Sequence, residues 1–210
     1  MKNNGNITNP LGIDKNIQNE KVHEFKYAMG DKSISLEEII DKYLLNGIPY
    51  VFDGDENNFF DFKNEIAKFF NVSQTNIFVV GSAKLGFSIA PNKRYKLFNE
   101  ESDIDVAIID ENTFLRYWKI LYTYNTTGRA YSTKEARTYR EFLEYFFKGW
   151  LRPDKFPSNM KERAEWFDFF KLMQKKYKFM IAAGIYYDIE VFNGYHKENL
   201  NSIREDIKNG

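Results

Sequence analysis

Apolar positions along this chain recur first at helical spacing and then in strand-like runs. Through about residue 20 the chain is polar and Asn-rich, with Gly5, Pro10 and Gly12 and no periodic apolar pattern, which reads as a loosely docked arm. Ser35-Leu36-Glu37-Glu38 has the form of a capping box, the serine accepting from the third helical amide while Glu38 reaches back. It predicts a helix to about Leu45, stopped by Gly47 and Pro49. Phe59, Phe62, Ile66 and Phe69/Phe70 share one face of a second helix, from about Asn57 to Phe70.

The period then changes. Ile77-Phe78-Val79-Val80 is a continuous apolar run ending in Gly81-Ser82, the pattern of a strand buried on both faces. A second strand is expected over Ile104 to Ile109, with Gly86 to Glu101 between them as a loop or short ribbon broken by Pro91. Beyond Glu111 the spacing is mostly helical: Asn112–Tyr124, Thr133–Leu151 (opened by a second capping box, Ser132-Thr133-Lys134-Glu135) and Met160–Lys178. The tail reads two ways, as a strand over Ile185 to Phe192 or a helix over Glu190 to Ile207. The fold class is therefore α+β, a small mixed sheet flanked by helices. Its expected parts are an arm (1–20), a core (21–125) and a mainly helical C-terminal part (126–210) packed on that core as one unit.

Composition narrows the chemistry. With 43% apolar residues the chain can build a full core. There is no cysteine, so disulfides, thiolate metal sites and cysteine nucleophiles are excluded, and two histidines (His23, His196) are too few for a histidine-built metal centre. Oxygen-ligand chemistry is left. The 30 Lys and Arg balance 30 Asp and Glu, which disfavours long duplex DNA as a partner. No signal segment or run of about 18 apolar residues is seen, so a cytoplasmic protein with no membrane partner is the expectation.

The balance is an average over unlike parts. From Ser82 through Asn99 there is no Asp or Glu, while Lys84, Lys93, Arg94 and Lys96 all fall in that stretch. An acidic stretch, Glu100 to Asp105, follows directly. In Asp103-Ile104-Asp105 the two acids, two residues apart on a strand, share a face, and two adjacent carboxylates are costly unless a cation lies between them. Mg²⁺ suits such a place, because it takes a few carboxylates together with waters and substrate phosphates. Gly81 lets the backbone approach a ligand closely, and Ser82 offers a hydroxyl and an amide at an expected helix start, where phosphate oxygens are favoured. Lys84 follows within reach of the same phosphates, whereas Lys93, Arg94 and Lys96 read as solvated loop charges. Aromatic residues make up 18% of the chain, and their helical spacing assigns most of them to the core.

Gly81-Ser82 at a strand end, followed by the strand Ser102-Asp103-Ile104-Asp105-Val106, resembles the polymerase-beta-like nucleotidyltransferase superfamily. That family includes end-adding polymerases, tRNA and aminoglycoside nucleotidyltransferases, oligoadenylate and cyclic-dinucleotide synthases, and small antitoxin-type proteins. The resemblance implies a sheet of nucleotidyltransferase type. It further implies transfer of a nucleoside monophosphate from a nucleoside triphosphate, ATP among the candidates, with release of pyrophosphate. Gly81 and Ser82 would then hold the triphosphate, with Lys84 added by its place beside them, and Asp103 and Asp105 would bind Mg²⁺, two ions being expected. The family's third carboxylate, on a later strand, would be Asp188 or Glu190 of Tyr187-Asp188-Ile189-Glu190-Val191, activating the acceptor. Ser82 and Asp103 are 21 residues apart, longer than in the smallest members, which implies an insertion within Phe87–Glu101. The acceptor is left open among a small molecule, a nucleotide, an RNA end and a protein. The alternative is a weak or inactive relative that binds nucleotide and regulates, as antitoxin-like proteins do.

Overall fold

The structure, a computed structural model, describes residues 14–127 and 133–209. Four strands, β1 (Ile77–Val80), β2 (Ile104–Ile109), β3 (Trp150–Leu151) and β4 (Ile181–Tyr186), form a mixed sheet in the order β1-β2-β4-β3. β1 runs antiparallel to β2 with Val80 opposite Asp105, and β4 runs parallel to β2 with Ala182 opposite Asp105. The helices are α1 (Lys15–Gly30), α2 (Leu36–Ile39, continued as a π-helical turn over Ile40–Leu45), α3 (Glu56–Phe70) and α4 (Gly81–Leu85). After them come α5 (Glu111–Thr126), α6 (Thr133–Phe147), α7 (Lys161–Tyr177) and α8 (Ile189–Asn209). Among the described residues no helix is long and apolar enough to cross a membrane.

Strand alternation divides the core in two. Ile77, Val79, Ile104, Val106, Ile108, Ala183 and Ile185 face α3, α5, α6 and α7, meeting Phe62, Phe70, Phe114, Phe142 and Phe170. Val80, Ala107 and Tyr186 face the other way, against Phe25 and Met29 of α1, Ile39 of α2, and Phe192 and Leu200 of α8. Helices on both faces explain why β1 and β2 are apolar without alternation. Asp105 is the exception in β2. It shares a face with Ala107 and lies at the start of the strand, where it opens into a cleft bordered by α8.

Several expectations are met. The Ser35 capping box forms, with the Glu38 amide donating to Ser35 Oγ at 3.1 Å and the Ser35 amide to Glu38 Oε2 at 2.7 Å. The segment between β1 and β2 is a short ribbon, pinned by the Phe87–Leu97 bridge. Others are corrected. Residues 15–20 are not an arm but the first turns of α1, capped by Asp14, with Gln18 buried and its Nε2 donating to the carbonyls of Gly86 and Phe98 at 2.8 Å each. The buried apolar positions of α1 (Val22, Phe25, Met29) lie towards its C-terminal half, and the one apolar residue of its first turns, Ile17, is exposed, so no periodic signal starts there. The helix expected to run to Leu151 ends at Phe147, because Gly149 turns the chain at φ +79° and Trp150–Leu151 joins the sheet. The second capping box includes Ser132, outside the described residues. β4 lies inside the sheet, so the C-terminal part completes the core rather than packing on it from outside.

Candidate functional site

β1 ends at Val80, and Gly81 takes φ +64°, the left-handed region that a side chain disfavours. A β-carbon at residue 81 would stand 2.8 Å from Asp105 Oδ2. The turn that starts α4 therefore packs its backbone directly against the acid on the neighbouring strand. Register produces this contact, since Val80 and Asp105 are opposite one another.

Asp103 and Asp105 both line a cleft of about 680 Å³ together with Gly81 and Ser82. Asp105 is open to the cleft, but protein surrounds it on its other sides. Burial, and then repulsion from Asp103, push its carboxyl up to about 6, against the opposing pull of Arg152 and Lys93. The two acids are thus electrostatically coupled and could share a divalent cation. Lys93 and Lys96 of the ribbon line the same cleft, while Arg94 is drawn away to α8, pairing with Asp206 and donating to Ser202 Oγ at 3.3 Å. Lys93 and Lys96 are exposed loop charges, as expected, and they also line the cleft.

The remaining walls are long-range. β3 supplies Trp150, and Arg152 follows it, its guanidinium held by Asp154 through Nε–Oδ1 at 3.0 Å and Nη2–Oδ2 at 2.9 Å. β4 contributes the small residues Ala182 and Gly184 to the floor, and the Trp150 indole lies where a β-carbon at residue 184 would be. One face of α8 closes the cleft with Tyr195, His196, Glu198, Asn199 and Ser202. Their spacing of three and four is the sequence signal for this wall, visible only once α8 is known to cross the cleft.

Three expected site residues lie elsewhere. Lys84 is buried on α4 and donates to the carbonyl of Asn46 and, at 2.6 Å, to that of Gly47, so it serves the end of the π-helical turn and does not line the cleft. Burial, and then Lys21, push its pKa down to about 8. Asp188 and Glu190 are not a strand-face pair, because β4 ends at Tyr186. Asp188 accepts from the Val191 amide at 2.8 Å at the start of α8, and Glu190 is exposed in its first turn. The run from Ala182 to Tyr186 alone spans about 13 Å, so both acids lie at the far end of the sheet from Asp105. Among the described residues no third Asp, Glu or His joins the pair in a cluster able to hold a metal. No protein-family profile, curated protein sequence or solved structure matches this chain.

Proposed function

We propose that the chain is a Mg²⁺-dependent nucleotidyltransferase, moving a nucleoside monophosphate from a nucleoside triphosphate to an acceptor with release of pyrophosphate. The observation that carries this reading is the packing of the Gly81 turn on Asp105, which joins the Gly-Ser turn and the acid pair in one cleft. The donor set fits Mg²⁺: two neighbouring carboxylates, one of them raised to about 6 by burial and then by the other and so largely ionised at pH 7, beside backbone with no side chain in the way. Asp103 and Asp105 would hold the ion. Bound there, it would offset triphosphate charge and the negative charge that grows on the leaving pyrophosphate.

The chain's own groups do the rest. Ser82, Lys93, Lys96 and Arg152 offer one hydroxyl and three cations to phosphate oxygens. In the transfer an acceptor oxygen bonds to the α-phosphorus, a hydroxyl acceptor giving its proton to solvent, while the bond from that phosphorus to the bridging oxygen breaks and pyrophosphate leaves with its electron pair. The test is incubation with the four α-labelled triphosphates, Mg²⁺ and pools of small RNA, metabolites and protein. Label should pass to one pool with the wild-type chain and not with Asp103→Asn/Asp105→Asn. Transfer retained by that variant removes the acid pair from the reaction.

A second reading, nucleotide binding without transfer in an antitoxin-like regulator, is favoured by one observation. β4 places Ala182 opposite Asp105, so the neighbouring strand brings no acid to the pair. Mg²⁺-dependent binding of a triphosphate with no label transferred to any pool decides for it.

A further inference from the structure

We infer that the α8 end of the cleft, formed by Tyr195, Trp150, His196 and Asn199, is a nucleobase subsite. This rests on the nucleotide reading above and adds where the base goes. Three buried polar atoms of cleft-lining residues have no hydrogen-bond partner: Trp150 Nε1, His196 Nε2 and Asn199 Oδ1. Such atoms cost stability when left unmet, and native proteins keep few of them. Asn199 spends its Nδ2 on the Ile89 carbonyl at 3.0 Å, which leaves its oxygen as a free acceptor. Trp150 Nε1 can only donate. His196 is 8% exposed and packed on the Phe192 ring with centroids 4.3 Å apart. Burial pushes its pKa down to about 4, so the imidazole is neutral at pH 7.

The four thus offer a donor, an acceptor and a neutral imidazole, and the one ionisable neighbour on this wall, Glu198, is an acid that repels anions. A phosphate or a carboxylate gains little from such a set, whereas a nucleobase edge carries acceptors and donors side by side. The aromatic surface agrees. Tyr195 is 41% exposed and lies 5.5 Å from Trp150, centroid to centroid, which gives a flat ligand a ring to stack on. The cationic residues Lys93, Lys96 and Arg152 and the two acids line the same cleft, so a base here and a triphosphate there fit one molecule. None of the three unmet atoms touches solvent in the free chain: Trp150 Nε1 lies against Gly184 and meets a base only if the indole shifts, and Asn199 Oδ1 or His196 Nε2 only if its side chain rotates.

The test measures binding of the four nucleosides without metal, and of the four triphosphates and inorganic tripolyphosphate with Mg²⁺, to the full chain, to Tyr195→Ala and to Tyr195→Phe. The subsite predicts that at least one nucleoside binds, and that its triphosphate binds more tightly than tripolyphosphate. Tyr195→Ala should weaken both the nucleoside and that triphosphate about tenfold and leave tripolyphosphate unchanged, whereas Tyr195→Phe, which keeps the ring, should retain wild-type affinity. Equal affinity of every triphosphate and of tripolyphosphate, or an unchanged nucleoside affinity in Tyr195→Ala, overturns the subsite. Nucleoside binding with no tripolyphosphate binding keeps the subsite and removes the triphosphate reading, so the two claims fail separately.

Discussion

Gly81 and Asp105 are in such close contact that a single added methyl at residue 81 would stand 2.8 Å from the Asp105 carboxylate oxygen. The contact links the glycine's left-handed backbone, at φ +64°, to the acid through the pairing of β1 with β2. Gly81→Ala should therefore destabilise twice, by about 1–2 kcal/mol for its φ alone and by more for the clash. In an Asp105→Ala background only the first cost should persist. A double-mutant cycle by urea unfolding measures the difference, and simple additivity would mean that the turn and the acid are independent.

Asp105 makes the metal-free protein sensitive to pH. Its carboxyl is raised to about 6 in the folded chain against about 3.9 unfolded, so the folded state binds the proton more tightly. The resulting stability is present in full below about pH 4 and is lost as pH rises through about 6. Asp105→Asn should flatten the stability profile over that window and be more stable than wild type at pH 7.5. For the same reason Mg²⁺ should bind more weakly at pH 5 than at pH 7.5, a trend that titration calorimetry reads directly.

Arg152 should matter for phosphate and for Asp105 together. Its guanidinium is oriented by Asp154 and lowers the Asp105 pKa. Arg152→Gln should weaken tripolyphosphate binding about tenfold or more, the scale of a lost charge-assisted hydrogen bond, and raise the Asp105 pKa further. Carboxyl NMR titration checks the second effect. An unchanged tripolyphosphate affinity would take Arg152 out of the site.

Lys84 should behave as a structural residue. Its ammonium meets the carbonyls of Asn46 and Gly47, so Lys84→Met should cost about 1–3 kcal/mol by unfolding. The folded variant should keep wild-type affinity for Mg²⁺ and tripolyphosphate. A selective loss of that affinity would return Lys84 to the cleft.

These contrasts show what local sequence carries. Asp103 and Asp105 were legible as a pair because the extended chain entering β2 keeps residues two apart together even one position before the strand begins at Ile104, and Gly81-Ser82 because a glycine ends an apolar run. The Ser35 capping box was legible for the same local reason. Lys84 was misread because it sits in the same basic stretch as Lys93 and Lys96, and the side of the turn it leaves from depends on how α4 packs. Asp188 and Glu190 were misread because a two-residue spacing means a shared face only within a strand, and the strand ends before them. Trp150 and Arg152 carried no local signal, and the three-and-four spacing on α8 marks a helix face without saying what that face meets. Their place depends on β4 entering the sheet beside β2, a pairing between segments more than 70 residues apart.

The central claim, that the acid pair and the Gly-Ser turn form one metal–triphosphate site, is most directly tested by binding of a non-hydrolysable α,β-methylene triphosphate. Affinity should be measured with and without Mg²⁺ for the wild-type chain and for Asp103→Asn/Asp105→Asn. Wild type should bind the analogue at least tenfold more tightly with Mg²⁺ than without, and the variant should lose that gain while keeping its fold. Equal affinity in the two proteins, or no dependence on the divalent cation in the wild type, would contradict the claim.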